Sequence, residues 1–289
     1  MSGEDSIASG TWSGVCAGES NAATGTATGV LSGQSNTACP ATNAVVVGGD
    51  GNDATGVNTG ILAGLNNDAT TTNAVVVGGN TNIASGVDSI VGAGASNTAL
   101  STSSGVLAGF TNFAADTNAA VVCGSVNTAS GTSCVVVGGS LNTAAGISSG
   151  VLAGLSNSVT STHSSICGGA SNTITFGSNN AILAGTDNTI LSRSSSTILA
   201  GNDITINVLD QAAFTKDLAL KASVASPGEG THIYSAQPDP PSVATGFGAT
   251  SIDAKSTDTC GSVTWTSSGT PPFTLSFYIM NHILLDLYQ

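Results

Sequence analysis

A glycine recurs every fifteen residues through two thirds of this chain. It stands at 3, 18 and 33, then at 49, 64, 79, 94, 109, 124, 139, 154 and 169, then at 185 and 201, so a single extra residue enters at three places. Three residues after most of these glycines comes asparagine: Asn21, Asn36, Asn52, Asn67, Asn82, Asn97, Asn112, Asn127, Asn142, Asn157, Asn172 and Asn188. Two further on is a small or apolar residue, Ala54 through Ala144 and then Val159, Ile174 and Ile190. An apolar pair precedes the next glycine, as in Val76-Val77, Val106-Leu107, Val136-Val137 and Val151-Leu152. The unit reads G-x-x-N-x-A-x-G-x-x-S-x-V-V/L-x, repeated about thirteen times, and such self-similarity is the signature of a repeat architecture.

Fifteen residues are too few for two helices or for a strand with a full helix, but two short strands and two turns fit. Stacked coils then form parallel ladders, each residue above its counterpart one coil away. The alanine and Val/Leu columns are expected to face inward, with glycines at corners where φ is positive. Asn52, Asn67, Asn82, Asn97, Asn112, Asn127, Asn142, Asn157 and Asn172 are expected to form a structural ladder, their amides bonding along the stack and to turn backbone groups. At about 4.8 Å per coil the rod is roughly 60 Å long. The expected fold is all-β: a parallel β-solenoid, or β-roll, of about thirteen 15-residue coils over residues 1–205, with a small C-terminal β region. Residues 206–242 read as a neck and a Pro-rich linker (SAQPDPPS, Ser235–Ser242), and 243–289 as that β region, with strands near Ser251–Ala254, Ser262–Thr266 and Phe273–Ile279. The apolar ending NHILLDLYQ reads as a truncated terminus, or as a strand or helix packing on a neighbouring chain.

Composition agrees with thin, stacked cross-sections. Only 7% of residues are charged, against about 25% in an ordinary globular protein. Glycine numbers 38 and aromatics are 4%, so large side chains are too few for a conventional core. The 40% of hydrophobic residues, clustered as VVVGG, VLAGL and ILAG, argue against disorder. Net charge is −13 and the basic residues are Arg193, Lys216, Lys221 and Lys255, which excludes a nucleic-acid binder, because phosphate binding needs cations. MSGEDSIASG has neither a basic n-region nor an apolar h-region, so no secretory signal is expected, and no apolar run reaches the roughly 20 residues of a membrane span.

Catalytic and metal-binding constellations are sparse. Cys16, Cys39, Cys123, Cys134, Cys167 and Cys260 form no CxxC pair and have no histidine at zinc spacing, so they read as small hydrophobes or free thiols. His163, His232 and His282 lie in unrelated contexts, and His163 reads as an outward coil residue. No G-x-S-x-G, P-loop or HExxH occurs, and Cys260 in Asp258–Gly261 has no identifiable base. No enzyme activity, cofactor or metal is expected. β-Helix polysaccharide lyases and hydrolases have longer coils with inserted loops, whereas these coils are nearly uniform.

Three resemblances bear on function. GGDGND (Gly48–Asp53) resembles one copy of the GGxGxDxUx calcium nonapeptide of RTX-type β-rolls, but that period is nine, and Asp50 and Asp53 occupy variable positions of the 15-residue unit. The pattern G-x-x-N-x-A-x-G-x-x-S-x-V-x-x-G, clearest in GSVNTASGTSCVVVGG (Gly124–Gly139), resembles the head repeat of YadA-like trimeric autotransporter adhesins over residues 3–205. That resemblance implies a left-handed parallel β-roll with three chains side by side; similar repeats occur in phage and giant-virus fibre-like proteins. The adhesin repeat has 14 residues, usually with Ala where this chain has Asn. The missing secretion signal favours a viral fibre. GSNNAILAGTDNTIL (Gly177–Leu191) is similar to the repeats of grass ice-binding β-rolls, where a regular Thr face is needed. Here Thr128/Ser130, Ser158/Thr160 and Thr173/Thr175 are candidates, interrupted by Asp53, Asp68, Ile83, Leu100 and Phe113.

From Thr117 to Thr186 there is no Asp, Glu, Lys or Arg, where a solitary rod would carry charge for solubility. This section, with Phe110, Phe113 and Leu155, is therefore expected to form the lateral face of a homotrimer. The function expected is a structural, adhesive rod on a virion or extracellular surface, binding a host-surface glycan or protein receptor through many weak contacts.

Overall fold

The computed structural model describes residues 2–191 and 194–206, and the strands Ala212–Phe214, Thr250–Thr257, Cys260–Ser267, Thr274–Ile279 and Ile283–Tyr288; side chains are described over 4–191 and 194–206. The chain winds as a parallel β-solenoid of about thirteen turns, all-β among the described residues. Each coil contributes one short strand to each of two sheets, and each sheet stacks 14 strands in chain order. Counting the recurring glycine as position 1, the first strand covers positions 5 and 6 and the second covers 12 and 13. Register is residue on residue: Ala84 pairs with Ala99 and Ala99 with Ala114 in one sheet, Val76 with Val91 and Val91 with Val106 in the other.

Two inward columns, positions 6 and 13, face each other as the core. Position 6 is Ala through Ala144, then Val159, Ile174, Ile190 and Ile206, so the core grows toward the C-terminal end. Position 13 is Val or Ile throughout. Asparagine at position 4 and small residues at position 11 close the two ends of the section, fully buried in nearly every coil.

Turns follow from residue types that tolerate left-handed backbone. Position 1 glycines such as Gly124 (φ 104°) take a conformation open only to glycine, and positions 3 and 10 are left-handed with mostly Ser, Asn, Asp or Thr. Val126 and Leu141, both at position 3, are bulky exceptions with φ of 56° and 59°.

The extra residues share one place. Register runs Ala23 to Ala38 to Ala54, a step of fifteen and then sixteen, and the added residue lies between Ala38 and Ala44, in the turn from first to second strand. The other two lie in the same turn, between Ile174 and Ser178 and between Ile190 and Ser194, as the pairings Thr162–Ser178 and Ser178–Ser194 require. Insertion therefore lengthens one corner and leaves both sheets in register.

The neck and linker expected over 206–242 lie outside the described residues, except for Ala212–Phe214, which pairs with Thr197–Ala200 and extends the second sheet. In the C-terminal region Thr250–Thr257 pairs antiparallel with Cys260–Ser267, and Thr274–Ile279 with Ile283–Tyr288; the ending is a hairpin strand rather than a helix.

Candidate functional site

The asparagine column is bonded on every side. Asn112 donates from Nδ2 to Asn97 Oδ1 (3.1 Å), to the Ala108 carbonyl in its own coil (3.1 Å) and to the Gly124 carbonyl in the next (2.9 Å). Its Oδ1 accepts the Asn127 backbone N–H at 3.0 Å. The same arrangement holds at Asn52, Asn67, Asn82, Asn97, Asn127, Asn142, Asn157 and Asn172, with the bond between side-chain amides present in most of them. Each amide thus satisfies the position 15 carbonyl, which would otherwise lack a donor, and adds a second bond to the position 1 carbonyl, which already accepts a backbone N–H such as Phe110 to Gly124. Its role is structural. A second ladder runs along position 10, on the surface: Asn43 donates to Asn58 (2.9 Å), Asn58 to Asn73 (3.1 Å) and Asn73 to Asp88 (2.7 Å). The fifteen-residue spacing of Asn43, Asn58, Asn73 and Asp88 is itself a readable signal in the sequence.

The apolar pair before each glycine divides. Val76 is fully buried and Val77 is 42% exposed; Val106 is buried and Leu107 is 54% exposed. Position 14 therefore faces outward, contrary to the inward Val/Leu column expected, because successive strand residues point to opposite faces. Positions 12 and 14 together form the outer surface of the second sheet. It carries Leu, Val, Ile, Ala and Gly along most of its length, with Ser165 and Thr197 at position 12 toward the C-terminal end, Cys16 and Cys167 at position 14 and Cys123 beside it at position 15.

Charge keeps off that surface. Ten acidic residues lie between 4 and 206, at positions 2, 3, 5, 8 and 10, and none at 12, 14 or 15. The charge-free stretch Thr117–Thr186 is not itself a face: consecutive residues of a solenoid wrap its whole perimeter, so this stretch is a collar more than four coils tall. Within it, and just before it, the expected interface residues separate. Phe110 (56% exposed) and Leu155 (49%) share position 2, three coils apart, whereas Phe113 is half-buried at position 5 on the first sheet. Between Phe110 and Leu155, the intervening coils place Val126 and Leu141 at the adjacent position 3, so four successive coils each turn one large apolar side chain out at this corner.

The outer surface of the first sheet carries hydroxyls. Thr128, Thr143, Ser158, Thr173, Thr189 and Thr205 stand in register at position 5 of six successive coils. Toward the N-terminal end Phe113, Ile83, Asp68 and Asp53 break the row. Asp68 stacks directly on Asp53, and burial first, then the Asp53 charge, pushes its carboxyl above the ordinary value.

Among the described residues no cluster of three His, Cys, Asp or Glu could hold a metal ion. His163 is exposed at a left-handed turn position. Cys134 is the buried cysteine; burial pushes its thiol up, and its Sγ donates to the Ala144 carbonyl at 3.1 Å. Cys16, Cys39, Cys123, Cys134 and Cys167 are all free, in line with the reading as small hydrophobes or free thiols; Cys16, Cys123 and Cys167 are exposed because positions 14 and 15 face outward. His232, His282 and Cys260 lie outside the residues whose side chains are described. Among the described residues no helix is long and apolar enough to cross a membrane. No family model matches this sequence, and no curated protein matches it.

Proposed function

We propose that the protein is a structural and adhesive rod: three chains side by side, on a virion or extracellular surface, attaching to a host glycan or protein through many weak contacts. The observation that supports this best is the unbroken stack of nearly uniform coils, with both sheets in register up to the bulge at Ile198–Ala200 in the last pairing of the second sheet. Such a stack offers a stiff, repetitive surface, and a weak contact repeated along it and across three chains gains strength through effective concentration. The reading needs no cofactor and no catalytic step. The corner formed by Phe110, Val126, Leu141 and Leu155 is the contact surface we assign to the receptor, because four successive coils each expose a large apolar side chain there, two of them, Val126 and Leu141, in left-handed backbone that costs stability. Light scattering tests the assembly: three times 27.9 kDa supports the rod, and a single-chain mass at micromolar concentration removes it. Retention of labelled protein on glycan arrays and host-cell membranes tests the attachment, with Phe110→Ser/Leu155→Ser as the variant expected to lose it.

A second reading rests on the hydroxyl row from Thr128 to Thr205, which is regular enough to order water. Thermal hysteresis from a monomeric protein would favour an ice-binding solenoid instead.

A further inference from the structure

The glycines at position 12 have no conformational reason to be glycine. Gly14, Gly29 and Gly60 lie in strands with no left-handed φ. A Cβ added at Gly14 or Gly60 would meet nothing within 4 Å, and at Gly29 only a carbonyl at 3.9 Å. Glycine weakens a strand, and where the chain itself leaves the space open it marks a place that another backbone or side chain approaches closely. The glycines at position 1 from Gly18 to Gly185 are different, since those have positive φ and closed surroundings.

Positions 12 and 14 also compensate each other. In three successive coils the pairs are Gly60 with Leu62, Val75 with Val77, and Ile90 with Gly92. A hole accompanies a knob, two medium residues accompany each other, and where the hole moves to position 14 the knob moves to position 12. Gly29 with Leu31 and Gly105 with Leu107 repeat the first form. At Gly92 the chain itself calls for glycine, since a Cβ there would run into the Leu107 carbonyl, and Ile90 Cγ2 comes within 3.3 Å of a Cβ at Gly105; at Gly14, Gly29 and Gly60 neither the chain nor solvent sets such a constraint. A flat partner does, and a partner with the same knob and hole at the same height satisfies it in every coil.

We propose that the outer surface of the second sheet is where copies of this chain pack, parallel and in register, the position 14 knob of one copy seated over the position 12 glycine of its neighbour at the same coil. This rests on the reading of the rod as an assembly of chains and names the surface that makes it. The occupant is a second copy for three reasons. Only a copy repeats at the coil spacing. Only a parallel copy presents Ile90 to Gly92 at the one coil where the order is reversed. The surface is free of charge, and the ten acidic residues between 4 and 206 all lie elsewhere, so their like-charge repulsion is kept out of the contact. A strip about 58 Å by 13 Å, from the strand and coil spacings, buries on the order of 750 Å² per copy, about what a stable interface needs.

The test uses the full chain and light scattering over a concentration series. Gly29→Ile/Gly60→Ile fills two holes that are open in the single chain, so folding persists, checked by the thermal midpoint and circular dichroism. The expected result is at least a tenfold weaker assembly. Adding Leu31→Gly/Leu62→Gly inverts both pairs to the form of Ile90 and Gly92 and is expected to restore assembly. If wild type assembles and the Ile variant assembles equally well, this surface is not the interface, while the assembled rod stands. If the inverted variant fails to recover, the in-register pairing is wrong. If wild type is a monomer at every concentration, the assembly reading itself fails, and this inference with it.

Discussion

The backbone N–H of Asn127 is bonded to the side chain of Asn112 one coil below, at 3.0 Å, while Asn127 Nδ2 reaches forward to the Gly139 carbonyl one coil above, also at 3.0 Å. One residue thus joins three coils. Asn127→Ala removes the donor to the Cys123 carbonyl and the acceptor of the Asn142 N–H, while the Gly139 carbonyl keeps its bond from the Ser125 N–H. A loss of about 2–4 kcal/mol is expected, since orphaning a buried polar group costs about 1–3 kcal/mol each. Asn127→Asp keeps the acceptor for Asn142 but loses both donors, and is expected to be no better at neutral pH. Urea midpoints of the three proteins measure this, and equal midpoints would show the ladder to be incidental.

Two glycines give a matched contrast. Gly124 has φ 104°, and an added Cβ would run into the Gly139 carbonyl and Asn127 Nδ2; Gly60 has ordinary φ and open space. Gly124→Ala is expected to cost several kcal/mol, as strain and clash combine, or to prevent folding. Gly60→Ala is expected to hold or raise the midpoint of the single chain by up to about 1 kcal/mol. A similar loss from both would mean that glycine is needed in the second sheet for the chain's own fold.

The repeat made the solenoid legible because stacking places every residue on its counterpart, so a period in sequence is a column in space. The asparagine ladder followed for the same reason: one polar residue recurring among apolar ones at a turn has to pair with its neighbours or with the backbone. Direction was harder to read. Val76 and Val77 are both apolar, and hydrophobicity alone gave them one fate, where the strand's alternation gives two. Faces were harder still. Phe110 and Phe113 are alike in type and three residues apart, yet only the position count puts Phe110 in one column with the distant Leu155 and Phe113 on the first sheet. The left-handed backbone at Val126 and Leu141 had no signal in residue type, because valine and leucine are poor choices for it.

Position 11 holds both satisfied and unsatisfied hydroxyls. Thr59 Oγ1 donates to the Gly56 carbonyl at 2.8 Å, whereas the hydroxyls of Ser89 and Ser149 are buried without a partner. Alanine already occupies this position at Ala44, Ala74 and Ala119. Ser149→Ala is therefore expected to stabilise by about 1 kcal/mol, and Thr59→Ala to destabilise by about the same amount. Thermal melts of the two single variants check the opposite signs; a loss in Ser149→Ala would mean that its hydroxyl is satisfied in solution.

Asp68 sets a pH dependence whose sign follows from its surroundings. Burial and the neighbouring Asp53 raise its pKa above the ordinary 3.8, so the folded state binds this proton more tightly than the unfolded chain. Between the two pKa values the folded protein holds more protons, and stability from this group falls as pH rises through that window. Above the folded value the full penalty is present; below the unfolded value it is gone. Asp68→Asn removes the charge and keeps the shape. It is expected to melt higher than wild type at pH 7, with the gap closing as pH approaches 3.8. Added salt is expected to narrow the gap at pH 7 only in part, because salt screens the repulsion from Asp53 but not the cost of burial. A gap that stays constant from pH 7 to pH 3.5 would assign the gain to something other than ionisation, and a wild type that melts higher than Asp68→Asn at pH 7 would reverse the sign argued here.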